Sequence, residues 1–488
     1  MLCWIRVPRM THAPASAALQ HRLPVGGRII TARAVTLYPN GVGRHQITNQ
    51  NLIFRKRSSV DQPPRFNQRL WFRSPLKNRL AALAVSLLVL AVACGGSDPT
   101  VAPAQSDAAT QSTKAANPEP TSMVPEGSSV VPKLVPELDT SIHSVPLEDI
   151  LFDTFGTTSA RFVPLSEISP ELQTDLRDAI IPVDIPTYGG IDALPWLEDD
   201  DLVLGYESGD EAYSYPINIL NFHEMVTDVI GGVPVLITYC PLCVSGVVFS
   251  REVDGEILTF GNTSALYQSD LVMYDHQTGS YWFQVAGEAV VGTMTGSHLE
   301  PLPSATMPWG QWKALHPNTL LLSGVDGVQD DLFAGSAYGN GFGQGYQDRI
   351  DNGQFAFPVD QEKLDERLSA GEIVLTVETG GAVTAFPLGV IGEGAVNAEV
   401  GGEAVVVFTD AGGLSVAAFS RTLDGQTLSF DFQGDGRFTD RETGSTWDFA
   451  GRAEDGPLAG SRLDRVSTRR SFWFAVAISF PGVELYTP

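Results

Sequence analysis

A segment of about 110 residues occurs twice in this chain, from roughly Val203 to Pro317 and again from Val374 to Pro481. Phe249-Ser250-Arg251, Asp254-Gly255, Leu258 and Phe260 return at identical spacing as Phe419-Ser420-Arg421, Asp424-Gly425, Leu428 and Phe430. Asp275, Thr278-Gly279-Ser280 and Trp282 return as Asp440, Thr443-Gly444-Ser445 and Trp447. Trp309 and Pro317 have counterparts in Trp473 and Pro481. Such a repeat limits the fold strongly, because whatever the first copy forms the second should form as well. It also sorts residues: those shared by both copies are explained by a shared fold, and those confined to one copy are candidates for function. Two copies of this length are too few and too long for a solenoid or propeller.

Each copy opens with a strand (Leu202–Tyr206 in the first), then a turn and a short strand ending at Tyr215-Pro216. Pro216 suits the first position of a helix. The apolar spacing of Ile219, Leu220, Val226 and Ile230 predicts that this helix runs to about Ile230, where Gly231-Gly232 stops it. Val233 to Tyr239 is a continuous apolar run and reads as a buried strand. Asp254-Gly255 between apolar runs signals a hairpin. The expected class is α+β and β-rich: two related, internally duplicated modules, 145–371 and 372–488, with mainly antiparallel sheets and few helices. Because the Asp-x-x-Thr-Gly-Ser motif occurs in both copies, it reads as a turn capped by its own side chains rather than an acid or metal site. Trp282 and Trp447 read as core, and Arg251 and Arg421 as structural partners of carboxylates.

The copies differ at groups able to bind metal or exchange electrons. Cys240 falls on Asp410, Cys243 on Gly413, His223 on Gly394 and His316 on Phe480. The first copy also carries about five extra residues around Gly261-Asn262-Thr263-Ser264, read as a loop. Thiolates with imidazole favour Cu(I) or Zn(II), so Cys240, Cys243 and His223 form a candidate metal site that His316 or Glu224 completes. Glu224, Tyr239 and Asn262 are expected to surround it. Cys-Pro-Leu-Cys is also a candidate redox dithiol, although such motifs usually open a helix and Val244 to Ser250 reads as strand. A static disulfide beside an ordinary histidine is the third reading, that of a binding or scaffold protein. No motif supports Ser-His-Asp hydrolysis or a phosphate-binding loop, and the Gly-rich stretch Gly335 to Gly345 reads as a loop.

The ends of the chain differ sharply in charge. Residues 1–79 hold 14 Lys and Arg against one acid, a net of +13, which leaves −39 for the rest of a chain whose total is −26. So acidic a body repels phosphates and argues against nucleic acid as a partner. Lys77 and Arg79 precede an uncharged apolar run, Leu80 to Ala93, and then Cys94-Gly95-Gly96-Ser97. That is the layout of a secretory signal, too short for a permanent membrane span. Ala91-Val92-Ala93-Cys94 resembles a bacterial lipobox, which implies lipidation of Cys94 and an anchor in the extracytoplasmic face of the cell membrane. On this reading 77–94 is the signal peptide. Residues 1–76 are a basic, low-order leader produced by an over-early start assignment. Residues 95–144, rich in Ala, Pro, Ser and Thr, bury too little apolar surface to order and form a flexible tether.

The run Thr238-Tyr239-Cys240-Pro241-Leu242-Cys243-Val244-Ser245-Gly246-Val247-Val248-Phe249, followed by Ser269-Asp270-Leu271-Val272-Met273-Tyr274-Asp275, resembles the bacterial and archaeal domain of unknown function 3179. Tyr215-Pro216 and His223-Glu224 resemble that family's pattern too. The resemblance covers about 150–488 and points to the Cys-Pro-Leu-Cys block as the site, but implies no activity. Val244 stands where the family usually has glycine, Thr227 where it has asparagine and His276 where it has arginine.

Overall fold

Residues 135–325 and 345–488 are described by the computed structural model. The leader, the Lys77–Cys94 signal, most of the tether and all but the last residue of Gly335–Gly345 lie outside the described residues. The described tail of the tether is packed: Leu138 is buried, and the backbone of Ser144 bonds that of Val290.

The protein is β-rich, with mainly antiparallel sheets. Among the described residues, six α-helices run only four to seven residues each. No helix there is long and apolar enough to cross a membrane. Two eight-stranded sheets, one six-stranded sheet and one four-stranded sheet carry the fold.

The two halves of the chain do not form separate sheets. In one eight-stranded sheet, Ser467–Phe472, Ile373–Thr379 and Ala382–Pro387 lie beside the hairpin Ser245–Ser250 and Val233–Cys240 and the edge strand Met225–Ile230. In the other the roles are reversed. Gly394–Val400, Glu403–Asp410 and Ser415–Ser420 lie beside Ser304–Pro308, Leu202–Ser208 and Glu211–Pro216. Each junction is a single registered pair, Arg470 with Gly246 in the first sheet and Thr306 with Val416 in the second. Each segment thus completes its sheet with strands from the other, an exchange that residue periodicity cannot announce.

The strand Val233–Cys240 sits in a middle layer. Its side chains alternate between two faces, as strand geometry requires. Val235, Ile237 and Tyr239 enter the core shared with Leu204, Met307, Val406 and Ala417 of the second sheet. Leu236 and Cys240 enter the core shared with Phe260, Leu271, Met273 and Trp282 of the six-stranded sheet. Covered on both faces, the strand must be apolar throughout, which is why it reads as a run rather than an alternation.

The helix predicted from Pro216 to Ile230 is shorter. It spans Ile217–His223, ends at Glu224 in a left-handed conformation (φ 59°), and gives way to the strand Met225–Ile230. Val226, Val229 and Ile230 are β-branched and prefer the extended chain. Ile219, Leu220, Val226 and Ile230 are all buried, but on two elements. The Asp254-Gly255 and Asp424-Gly425 turns form as expected, with positive φ at all four residues. Asp275 accepts hydrogen bonds from Thr278 N, Thr278 Oγ1 and Trp282 Nε1. Asp440 does the same for Thr443 and Trp447. This motif is a turn that also anchors a buried indole. Arg251 and Arg421, expected to pair with carboxylates, instead each donate to three backbone carbonyls.

Candidate metal centre

Cys240 closes one strand of the hairpin, and Pro241-Leu242-Cys243-Val244 makes the turn into Ser245. Val244 takes φ 56°, a left-handed conformation rare for a β-branched residue. The turn is tied down from the second half of the chain. The carbonyl of Cys243 accepts from Phe472 N (2.9 Å) and Ser471 Oγ (3.1 Å), while Tyr346 Oη donates to the carbonyl of Leu242 (2.8 Å).

Both thiols are enclosed: Cys240 is 1% exposed and Cys243 0%. The Cys243 Sγ donates to Asp270 Oδ1 at 2.9 Å and lies 3.1 Å from Ser245 Oγ. Ser245 Oγ donates to Gln284 Oε1 (2.7 Å), and Gln284 Nε2 donates to Thr238 Oγ1 (2.7 Å), so the polar atoms around the thiol have their own partners. The other carboxylate oxygen of Asp270 accepts from Val285 N at 2.9 Å. Asp270 begins a strand of the six-stranded sheet and is delivered to the cysteines by the packing of that sheet on the hairpin. The two sulfurs and an Asp270 oxygen all lie within 4.8 Å of one another.

Burial shifts these groups towards their protonated forms. Burial, reinforced by Asp270, pushes Cys240 up and Cys243 well up from the usual thiol range. Burial also raises Asp270 to about 6, although hydrogen bonds from Cys243, Val285 and Cys240 oppose the shift. Glu224 is lifted to about 8 by burial and by the Asp270 charge, against the pull of Asn262.

Of the residues expected to surround the thiols, Glu224 and Asn262 lie together beside the strand that ends at Cys240, whereas the Tyr239 side chain points to the opposite face of that strand. The carbonyl of Glu224 accepts from Tyr239 N (2.8 Å), placing Glu224 across from the strand that ends at Cys240. Its Oε2 accepts from Asn262 Nδ2 at 2.7 Å. Gly261 to Ser264, expected as a loop, instead lie within the strand Phe260–Tyr267 and form a bulge between Asn262 and Ala265. A bulge re-aims a side chain, and here Ser264 takes φ 62° while its N donates to Asn262 Oδ1 (2.7 Å). Tyr239 is buried beside Arg470, and its hydroxyl is raised by burial.

The histidines lie elsewhere. His223 Nδ1 bonds the carbonyl of Ile181 at 2.8 Å, burial lowers its pKa, and it is not in the sulfur–carboxylate cluster. His316 packs at a tilt against Trp312 and lies 3.6 Å from Glu207, which binds Arg462 and Arg465. Burial drops His316 to about 4, so it is neutral there despite the carboxylate. The difference between the two segments at His316 reflects that Glu207 cluster, which ties the first half of the chain to the second.

Asp270 is the residue the sequence reading passed over. It stands five positions before Asp275, as Asp435 stands five before Asp440, so comparison of the two segments gives it a counterpart. The counterpart is exposed at a turn with φ 51°, whereas Asp270 is fully buried. Only burial distinguishes them.

A family model described as a protein of unknown function, DUF3179, matches residues 177–482. The chain belongs to this family. No curated protein and no solved structure matches it. The DUF3179 match takes in the cysteine hairpin, Glu224, Asn262 and Asp270 in one half, and the strand Ser467–Phe472 that supports the hairpin from the other.

Proposed function

We propose that this DUF3179 protein binds a soft or borderline metal ion, Zn(II) or Cu(I), through Cys240, Cys243 and Asp270. The observation that carries the reading is the convergence of two thiol sulfurs and one carboxylate oxygen within 4.8 Å in a buried site. Mixed sulfur and oxygen donors suit Zn(II), with one position left for a further ligand, while Cu(I) needs only the two sulfurs. A bound cation offsets the charge of the buried donors, and loading releases the protons of the two thiols. Glu224, hydrogen-bonded to Asn262 and acting electrostatically on Cys240, is placed to tune the site rather than to complete it.

The Asp270 contact also favours a second reading, thiol–disulfide exchange. A partner's disulfide is reduced to two thiols while Cys240 and Cys243 join, and both cysteine protons pass to the partner's sulfurs, one of them by way of Asp270. The near-complete burial of both sulfurs weighs against it, because exchange needs an exposed thiolate. A static disulfide is the third. Around the site we propose an exported protein, lipidated at Cys94 and tethered to the extracytoplasmic face of the membrane, with no nucleic-acid partner; the basic, apolar and Cys94 sequence and the acidic body support this. We further propose that the two segments descend from one duplicated module, a reading supported by the matched arginine clamps and Asp–Trp turns.

Elemental analysis of the purified, reduced protein tests the metal reading. Near-stoichiometric metal that Cys240→Ser removes and His316→Ala keeps is expected. A metal-free protein sinks it: a reversible disulfide then favours exchange, and an inert one a staple.

A further inference from the structure

The turn that carries the cysteines is buried, and its counterpart in the other segment is open. Leu242 and Cys243 are enclosed, whereas Gly412, which falls on Leu242, is exposed. Leu414, which falls on Val244, is 42% exposed. Both turns join corresponding pairs of antiparallel strands, so burial is not inherent in the turn. Something is added over the first one.

The addition is the stretch 345–364, which lies between the two repeated segments and joins no sheet. Its regular structure is one helix of six residues, Tyr346–Asp351, and one 3-10 turn, Gln361–Lys363. Tyr346, Ile350, Phe357 and Val359 enter the core that holds both cysteines, and most of the residues between them are exposed. Tyr346 Oη donates to the Leu242 carbonyl, and its phenol is near enough to both thiols for them to act on it electrostatically. Further along, Asp360 N donates to Gln268 Oε1 (2.7 Å) and Lys363 Nζ to Tyr267 Oη (3.1 Å). Tyr267 and Gln268 lead into Asp270. One strap thus crosses the cysteine turn and the approach to the carboxylate.

Its attachments are of two kinds. Over the site, each of these hydrogen bonds uses a side chain, supported by the packing of Phe357 on Phe162 with ring centroids 4.4 Å apart. Beyond residue 364 the backbone itself is held. Trp473 Nε1 donates to the Asp365 carbonyl (2.8 Å) and Phe474 N to the Ala370 carbonyl (3.0 Å). The cysteine hairpin and the strand of Asp270 are instead bonded into sheets along their length. Local opening follows the weakest attachments, so the strap yields before either sheet does.

We infer that residues 345–364 form a cover that swings off the cysteine turn about its anchor at Asp365 and Ala370, and that this opening admits a metal ion to the buried donors. The inference rests on the proposed metal site for its purpose, but its test needs no metal. A protein that binds no metal and passes the test loses the metal reading and keeps the cover.

The test alkylates the full chain, reduced and stripped of metal with chelator, using iodoacetamide under native conditions. Peptide mass spectrometry reads Cys240 and Cys243 apart from Cys3 and Cys94. Both thiols should label, at a rate that depends on urea far less steeply than global unfolding, because lifting the strap exposes little surface. Tyr346→Phe, which removes one hydrogen bond and keeps the ring, should speed labelling about 2- to 10-fold. Phe357→Ala should speed it at least about 30-fold. Val407→Ala opens a cavity in a separate core of the second segment and should leave the rate unchanged. The inference fails if labelling follows global unfolding in urea, or if Val407→Ala speeds it as much as Phe357→Ala. It fails equally if neither strap variant speeds it.

Discussion

Cys243 Sγ and Asp270 Oδ1 meet at 2.9 Å across two different sheets, the thiol on the turn of a hairpin and the carboxyl at the start of a strand packed against it. The contact joins a soft donor to a hard one in a space closed to solvent. Asp270→Asn keeps the size and one acceptor oxygen but removes the charge. If Zn(II) is the resident ion, this variant should lose at least about 10–100-fold in affinity, the loss that even an indirect partner produces. A Cu(I) site held by the sulfurs alone should change far less. Competition with a chromophoric chelator, with folding checked by circular dichroism, separates the two; unchanged Zn(II) affinity removes Asp270 from the site.

Glu224 gives the metal-free protein a distinctive pH dependence. Its carboxyl titrates near 8 when folded and near 4.5 by its ordinary value. Between those limits the folded state holds a proton that the unfolded chain has released, so stability falls as pH rises through the window. Asp270, raised from 3.8 to about 6, acts with the same sign over a lower window. Above pH 6, of these two carboxyls only Glu224 still contributes, at up to about 1.4 kcal/mol per pH unit for one proton. Glu224→Gln should therefore flatten the loss of stability between pH 6 and 8, measured by urea unfolding. An identical slope in parent and variant would mean that Glu224 is ionised in the folded protein.

What the chain reveals about itself divides along physical lines. Local signals transfer directly: Asp254-Gly255 makes its turn, Asp275 caps its own backbone, and the run from Val233 makes a strand, because each depends on neighbours in sequence. Cys240, Glu224 and Asn262 stand out because the other segment lacks the cysteine and the extra residues after Phe260. Asp270 does not, since its role comes from burial beneath a second sheet. His316 shows the converse. It lies beside Glu207 of its own segment, and it is Glu207 that the interlocking halves pair with Arg462 and Arg465.

The turn at Val244 offers a test of strain. A β-branched residue at φ 56° costs roughly 1–2 kcal/mol against glycine. Val244→Gly gives up a half-buried side chain and a stiffer unfolded chain, each of similar size. The terms nearly cancel, and the midpoint of unfolding should move by no more than about 1 kcal/mol. Val247→Gly, three residues on in a fully buried strand, relieves no strain and should cost about 3 kcal/mol or more. Equal losses for the two variants would show that the turn is not strained.

Arg251 and Arg421 make the same three contacts in unequal surroundings. Arg251 donates to the carbonyls of Val235 (3.0 Å), Leu258 (2.6 Å) and Asp228 (3.0 Å). Arg421 donates to those of Val405 (2.9 Å), Leu428 (2.8 Å) and Ala398 (3.2 Å). Arg251 is buried and Arg421 is only half-buried. Hydrogen bonds from a charged donor contribute about 1.5–3 kcal/mol each at most, and the larger cost follows when the acceptors are left without water. Water can replace the guanidinium at position 421 more readily than at 251. Arg251→Met should therefore destabilise by about 3 kcal/mol or more and Arg421→Met by about half as much. In both, metal per folded molecule should stay at the parent value, since neither clamp touches the thiols. Loss of metal from folded Arg251→Met would instead tie this arginine to the geometry of the site, through the strand Val233–Cys240 whose carbonyl at Val235 it holds.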